Sequence, residues 1–268
     1  MNKQIGLLTA MLLFPIALVV GCNTTSPTPS SPAGSSSPVP TRTATGTPTI
    51  TATPMNTATP QFGQLPVNLR SAASYVVLAY SQVTNSGPSK LCGNLGLSPG
   101  SSAGGGYSMG CGGVIEVDDT PARNAKLDLT TAYNDAAGRT TPALVAGNLG
   151  GRTLYPGLYK STGSLEITSG DLTLDAQGNV NGVFIFQIAS TLITSSGRKV
   201  ILAGGAKAAN VFWQVGSQCN LGTTSAFKGT IMAHTQITLN TGATLEGRAL
   251  SQIEQVTMLS NTITKPAP

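Results

Sequence analysis

The sequence predicts a mainly β chain, a β-solenoid with one α-helix laid along a side. Three observations predict it. The stretches VFWQVGSQCNLGTTSAFKG, IMAHTQITLNTGATLEGRALS and QVTMLSNTIT share one pattern without being strict repeats. In each, a short apolar strand leads to a polar strand with Thr, Asn or Gln at alternate places, then a Gly/Asn/Ser corner, as stacked β-coils require. Second, only 9% of the 268 residues are charged, against roughly 25% in ordinary soluble domains, while 32 are Gly. Such a composition suits many short strands and tight corners, not a helical bundle. Third, a single segment carries helical periodicity.

In chain order, Lys3 precedes an apolar run, Ile5 to Val20, which ends at Gly21-Cys22. The run is shorter than the roughly 20 residues of a membrane-spanning helix. A small residue before Cys22 resembles a bacterial lipobox, so residues 1–21 are expected to be a lipoprotein signal peptide. Cys22 would then carry the acyl chains that anchor an exported protein at the cell envelope. A plain signal peptide or anchor with a chance Cys is the alternative. Residues 22–62 are rich in Thr, Ser, Pro and Ala, with Arg42 as the only charge, and too poor in apolar surface to fold. Fully extended at about 3.1 Å per residue, such a linker spans on the order of 100 Å.

Residues 63–268 form the expected folded domain. Ser74 to Tyr80 reads as a buried strand and Leu91 to Gly100 as a strand and corner. Cys92 and Cys111 flank a Gly/Ser-rich loop and form a plausible disulfide in an exported chain. Cys219 alternates with Leu221 and is expected to point inward. The helix is expected at about 121–138. Asp119 or Thr120 caps it, Pro121 suits its first turn, and Gly138 stops it. Ala122, Ala125, Leu129, Ala132, Tyr133 and Ala136 recur at spacings of three and four. Gly-punctuated strands follow. Phe184-Ile185-Phe186 and Val211-Phe212-Trp213 are apolar at every position, so both faces of these strands need cover. The helix supplies it, through Leu129 and Tyr133.

The segments AKLDLTTAYNDAAGR, NLGGRTLYPGLYK, LTLDAQGNVNGVFIFQIASTLITSSG, NVFWQVGS, FKGTIMAHTQITLNTGATLEGRALS and VTMLSNTIT, in this order from Ala125 to Thr264, resemble the bacterial, microalgal and fungal ice-binding proteins, a resemblance that covers about residues 65–264. The resemblance implies a right-handed, irregular (discontinuous) β-solenoid of triangular section with a single long helix. It also implies that the N-terminal segment closes the stack out of sequence, and that the partner is an ice crystal surface.

Catalysis finds little support in the residues. The single His, His234, lacks a nucleophile beside it, and no GxSxG elbow occurs. Asp118 and Asp119 read as helix-entry residues and Asp175 as a turn former. The carboxylate group that a polysaccharide-cleaving β-helix needs is missing. No Cys/His cluster suggests zinc, and no phosphate loop or basic aromatic stripe suggests nucleotide or nucleic acid. The expectation is a monomer with no metal or cofactor.

A flat face remains. Stacked coils place equivalent residues about 4.8 Å apart and alternate residues about 6.7 Å apart, a two-dimensional grid. Aligning the coils turns Cys219, Leu221, Ile237, Leu239, Val256 and Met258 inward. It turns Gln218, Asn220, Gln236, Thr238, Asn240, Gln255 and Thr257 outward, with Thr191 and Ile193 from an earlier coil and Thr223 and Thr241 at the corner. These eleven residues are the expected ice-contact site, on a face read as uncharged; Lys199, Lys228 and Glu246 fall on the next side. The bland reading is that Thr and Asn ladders simply suit an exposed sheet. A second functional reading is a surface adhesin or structural module that binds glycan or protein, for which exposed Tyr107, Tyr155 or Tyr159 would speak.

Overall fold

A computed structural model describes residues 63–267. The expected signal peptide, the whole 22–62 linker and the candidate anchor Cys22 within it lie outside the described residues.

The described chain stacks parallel strands into a solenoid with three sheets. One has seven strands, in spatial order Val83–Ser86, Val256–Leu259, Ile237–Leu239, Cys219–Leu221, Leu192–Thr194, Leu165–Ile167 and Gly147–Asn148. A broad twelve-stranded sheet has as its spine Thr262–Thr264, Thr244–Ser251, Ala226–Ala233, Val211–Val215, Phe184–Ile188, Gly157–Ser161 and Ala143–Leu144. A three-stranded sheet, Val200–Ala203, Leu172–Asp175 and Thr153–Leu154, forms part of the remaining side.

Chain order and spatial order differ. Tyr75–Ala79 lies on the second half of Thr244–Ser251, with Val77 opposite Ala249, and Val83–Ser86 lies on Val256–Leu259. Thus the N-terminal segment completes a coil begun at the C-terminus. Beyond it, Ser89–Cys92 and Tyr107–Gly110 extend the stack, and the Cys92–Cys111 disulfide ties them, with Cα atoms 5.0 Å apart. At the opposite end the last strands, Ala143–Leu144, Gly147–Asn148 and Thr153–Leu154, are two residues each.

Alternation decides what is buried. Every seven-stranded-sheet strand from Leu165 to Met258 shows a buried–outward–buried pattern, as in Ile237-Thr238-Leu239. The inward residues meet a column of aromatic rings from the broad sheet. Tyr159 stacks on Phe186 at 5.3 Å, Phe186 on Trp213 at 4.0 Å, and Trp213 tilts against Phe227 at 5.1 Å. The Trp213 indole donates to the Lys228 carbonyl at 2.9 Å, so its one polar atom is satisfied inside the core. Tyr159 is buried too, its hydroxyl donating to the Tyr155 carbonyl at 2.6 Å.

The helix spans Thr120–Gly138. The Asp119 carboxylate accepts from the Ala122 amide at 2.9 Å, and Pro121 occupies the first turn, where its missing N–H costs nothing. Ala122, Ala125, Leu129, Ala132 and Ala136 are buried; Tyr133 is half-buried and donates to the Val215 carbonyl at 3.3 Å. This stripe covers the outer face of the broad sheet, where Leu158, Ile185, Phe212, Met232 and Leu250 project. Small alanines let the helix sit close to the sheet. Its end is held by a side chain of that sheet: buried Gln187 donates to the carbonyls of Ala136 and Arg139, each at 2.8 Å. Helix ends leave four carbonyls without intrahelical partners, so this contact replaces a capping glycine. Near the other end, Lys126 reaches across to the carbonyls of Ser251 and Gln252, and burial pulls its ammonium down to about 7.

Truncating the centre of the aromatic column removes contacts on both sides at once. Trp213→Ala is expected to cost about 3–5 kcal/mol in urea unfolding of the purified chain. A loss under about 1 kcal/mol would show that the column collapses around the gap.

Candidate functional site

The seven-stranded sheet exposes three in-register rows. The middle row reads Thr84, Thr257, Thr238, Asn220, Ile193, Glu166 and Asn148, each opposite the next across a parallel pair. Two residues earlier, the same register aligns Gln82, Gln255, Gln236, Gln218 and Thr191. Two residues later it aligns Ser86, Leu259, Asn240 and Gly222. All eleven residues expected from the sequence therefore fall on or beside this face. Thr191, Gln218, Gln236 and Gln255 share one row, Ile193, Asn220, Thr238 and Thr257 the next, and Asn240 the third. Thr223 and Thr241 stand exposed at the corner beyond it.

Side chains in these rows bind one another along the stack. The Thr84 hydroxyl donates to the Thr257 hydroxyl at 3.0 Å, and Asn240 Nδ2 donates to Asn220 Oδ1 at 2.6 Å. Gln82 donates to Gln255, and Gln236 Nε2 to Gln218 Oε1 at 3.4 Å. Long amides that would otherwise sweep through several rotamers are thereby tied into ladders, which lowers the entropy cost of holding an ordered layer above them. The gap at Gly222 has a steric cause. A Cβ there would lie 2.5 Å from the Thr194 carbonyl oxygen of the neighbouring coil.

Two features of the face depart from the sequence reading. Gln82, Thr84 and Ser86 belong to it and were missed, because they lie far from their partners in the chain. A signal was available: the tripeptide Gln-Val-Thr occurs at 82–84 and again at 255–257. The face is also not uncharged. Glu166 occupies the middle row next to Ile193. Its strand, SLEITS, lacks the Gln-x-Thr pattern of 236–238 and 255–257, so alignment on the last coils passed over it. Beyond Glu166 the face turns to internal duties. Asn148 Oδ1 accepts from the amides of Gly150 and Thr168, and its Nδ2 donates to Ser169. The regular part therefore spans five strands, four steps of about 4.8 Å, or roughly 20 Å.

The other sides are less regular. Lys228 and Glu246 pair at 2.7 Å on the third side, Arg198 and Asp171 at 3.7 Å near it, and the sheet there passes from three short strands to the eight-residue ones through one isolated bridge, Lys199 with Ala226. The remaining side is under the helix. The acidic groups near the helix serve the fold. Arg123 and then Ser98 hold the Asp118 carboxyl below the usual carboxylate range, and Ser71 does the same for Asp128. Asp175 accepts from the Gln177 amide at 2.8 Å and fixes its turn. His234 is half-buried beside Gln252 and Tyr133. Cys219 is fully buried, and burial pushes its thiol up. Among the described residues, no group of three or more His, Cys, Asp or Glu is placed to hold a metal ion. The seven-stranded face thus offers a regular, in-register array of hydroxyls, methyls and amides.

Known proteins share this chain's sequence and architecture. The ice-binding-like family matches residues 77–264. An ice-binding protein from Nostoc sp. (strain HG1) is 45% identical over 73% of this chain and 72% of its own length. One from Flavobacterium frigoris (strain PS1) is 38% identical over 75% and 76%. Among solved structures, an ice-binding protein from an Antarctic biological consortium superposes with a TM-score of 0.74 at 52% identity, covering 76% of this chain and 93% of that one.

Proposed function

The chain belongs to the ice-binding-like family, and from that premise we propose that it adsorbs to ice through the Thr84–Ile193 part of its seven-stranded face. Ice binding is the function that its sequence and structural relatives share by name. The observation that favours this face over the others is its register. Five strands repeat Gln or Thr in one row and Thr, Asn or Ile in the next, without a charge, over a rigid parallel stack.

The physical sequence is short. The grid repeats at about 4.8 Å in one direction and about 6.7 Å in the other. Thr is stiff at χ1, so its methyl and hydroxyl keep fixed positions above the sheet. Methyls favour ordered water around them while hydroxyls and amides anchor some of it, and the ordered layer merges with the crystal. Ice must then bulge between adsorbed molecules, which restrains growth and recrystallisation. The reading involves no bond making or breaking. Cys22 and the Pro/Thr linker complete it: a lipid-anchored domain, held as a monomer on a long tether, would act at the surface of the cell that makes it.

Replacing Thr238 and Thr257 together by Tyr is expected to abolish most thermal hysteresis and recrystallisation inhibition. As surface changes they should move unfolding stability by no more than about 0.5 kcal/mol each. Full activity in a folded double variant would exclude this face.

Glu166 marks the lower edge of the patch. Glu166→Thr is expected to extend it by one strand and to inhibit recrystallisation at a lower concentration than the parent. Unchanged potency would place the edge of the contact above Ile193.

Cys22→Ala is expected to move the expressed protein from the membrane fraction to the soluble exported fraction. Retention in membranes by the variant would reject lipidation as the anchor.

A further inference from the structure

On the helix side of the broad sheet, one outward row ends in a buried charge. The row passes from Leu158 through Ile185, Phe212 and Thr230 to Arg248. Arg248 is only 8% exposed. Its Nε donates to the Ala73 carbonyl at 3.0 Å and its Nη1 to the Thr230 hydroxyl at 3.2 Å. Both acceptors are neutral, and no carboxylate pairs with Arg248 among the described residues. Burial lowers its pKa to about 10, which still leaves it a cation at neutral pH. A buried cation without a counter-charge costs several kcal/mol of lost hydration in general. Nothing in the apolar packing of this row requires it.

Arg248 lines an open cleft of about 630 Å³. Two more cations, Arg70 and Lys265, line the same cleft, with Asn68 beside them and Pro66 and Phe212 as apolar wall. Among the described residues, no Asp or Glu lines it. Arg70 has only a loose contact with Asp128, at 3.6 Å, on the exposed side. Three positive groups around one concavity, the deepest of them held rigid by two hydrogen bonds, reproduce what an oxyanion site needs: a planar guanidinium with N–H groups to spare and flanking charges.

We propose that this cleft binds an oxyanion, with the Arg248 guanidinium as the fixed donor at its floor and Lys265 and Arg70 closing over the ligand. The ligand class is a carboxylate, sulfate or phosphate, free or carried on a small organic body that fits against Pro66 and Phe212. The site lies on the helix side of the solenoid and is separate from the seven-stranded face.

The test uses the full chain and three probes, sulfate, phosphate and glucuronate, each against chloride at equal ionic strength. Binding is read by titration calorimetry and by melting temperature. Sulfate and phosphate also stabilise proteins non-specifically, so the expected result is a saturable rise in melting temperature with a measurable heat. Arg248→Met should abolish it. Lys265→Gln, a surface change that leaves the fold intact, should weaken it by roughly tenfold, as loss of a charge-assisted contact does. Should Arg248→Met not fold, the Arg70→Gln, Lys265→Gln double variant carries the test. Binding of the inorganic ions alone assigns the site to free oxyanions; binding of glucuronate alone assigns it to an acidic saccharide or similar organic acid. No saturable binding of any probe, or equal binding in the Lys265 and double variants, overturns the proposal.

Discussion

Register is the constraint on which the rest of the molecule depends. In a parallel stack every coil takes its backbone hydrogen bonds from the coils on either side, and side chains alternate with period two. A slip of one residue in the Cys219–Leu221 strand would send Cys219 and Leu221 to solvent and bring Asn220 into the core. The inner aromatic column, the outer Thr and Gln rows and the close approach at Gly222 are consequences of one alignment seen from different sides. The regularity of the proposed ice face is thus not a separate design from the stability of the core. Both require that neighbouring coils copy each other's geometry.

The helix solves a problem that the same alignment creates. Strands such as Phe184–Ile188 and Val211–Val215 are buried on both faces, because the outer face of the broad sheet carries Ile185, Phe212, Met232 and Leu250. One amphipathic helix covers that face, and polar side chains pin it at both ends: Gln187 at its C-terminus, and Lys126 reaching to the strand end at Ser251. The helix makes one side of the solenoid unavailable to a planar ligand. The broken sheet and ion pairs of the third side leave the seven-stranded face as the continuous surface.

Much of this was legible in the sequence, where local chemistry dictates structure. The helix limits follow from Asp119, Pro121 and a stripe of small apolar residues. The inside and outside of the last three coils follow from strict alternation around Thr238 and Thr257. What failed to show was non-local. Thr84 joins the face only because the N-terminal segment closes a coil begun some 170 residues later, and alternation within one strand says nothing about its neighbour. Glu166 was passed over for the converse reason. Its coil holds the right place in the stack but does not share the Gln-x-Thr spelling found at 82–84, 236–238 and 255–257. Arg248 lies in the strand Thr244–Ser251, yet its burial against a short 3-10 turn at Arg70–Ser74 depends on contacts across most of the chain.

The two ends of the stack are finished in different ways, and this bears on how the molecule behaves in a crowd. A parallel solenoid has an open edge at each end, and an identical molecule is the best template for pairing with it. Here the lower edge is reduced to two-residue strands broken by Gly147 and Gly151, both in left-handed conformation, so an incoming strand finds little to align with. At the upper edge the outermost strand, Tyr107–Gly110, is stapled to the coil beneath by the Cys92–Cys111 bridge. These terminations act against end-to-end polymerisation into filaments. The regular stacking on which the proposed ice face rests is thus given up at the two places where it would let one copy grow onto another.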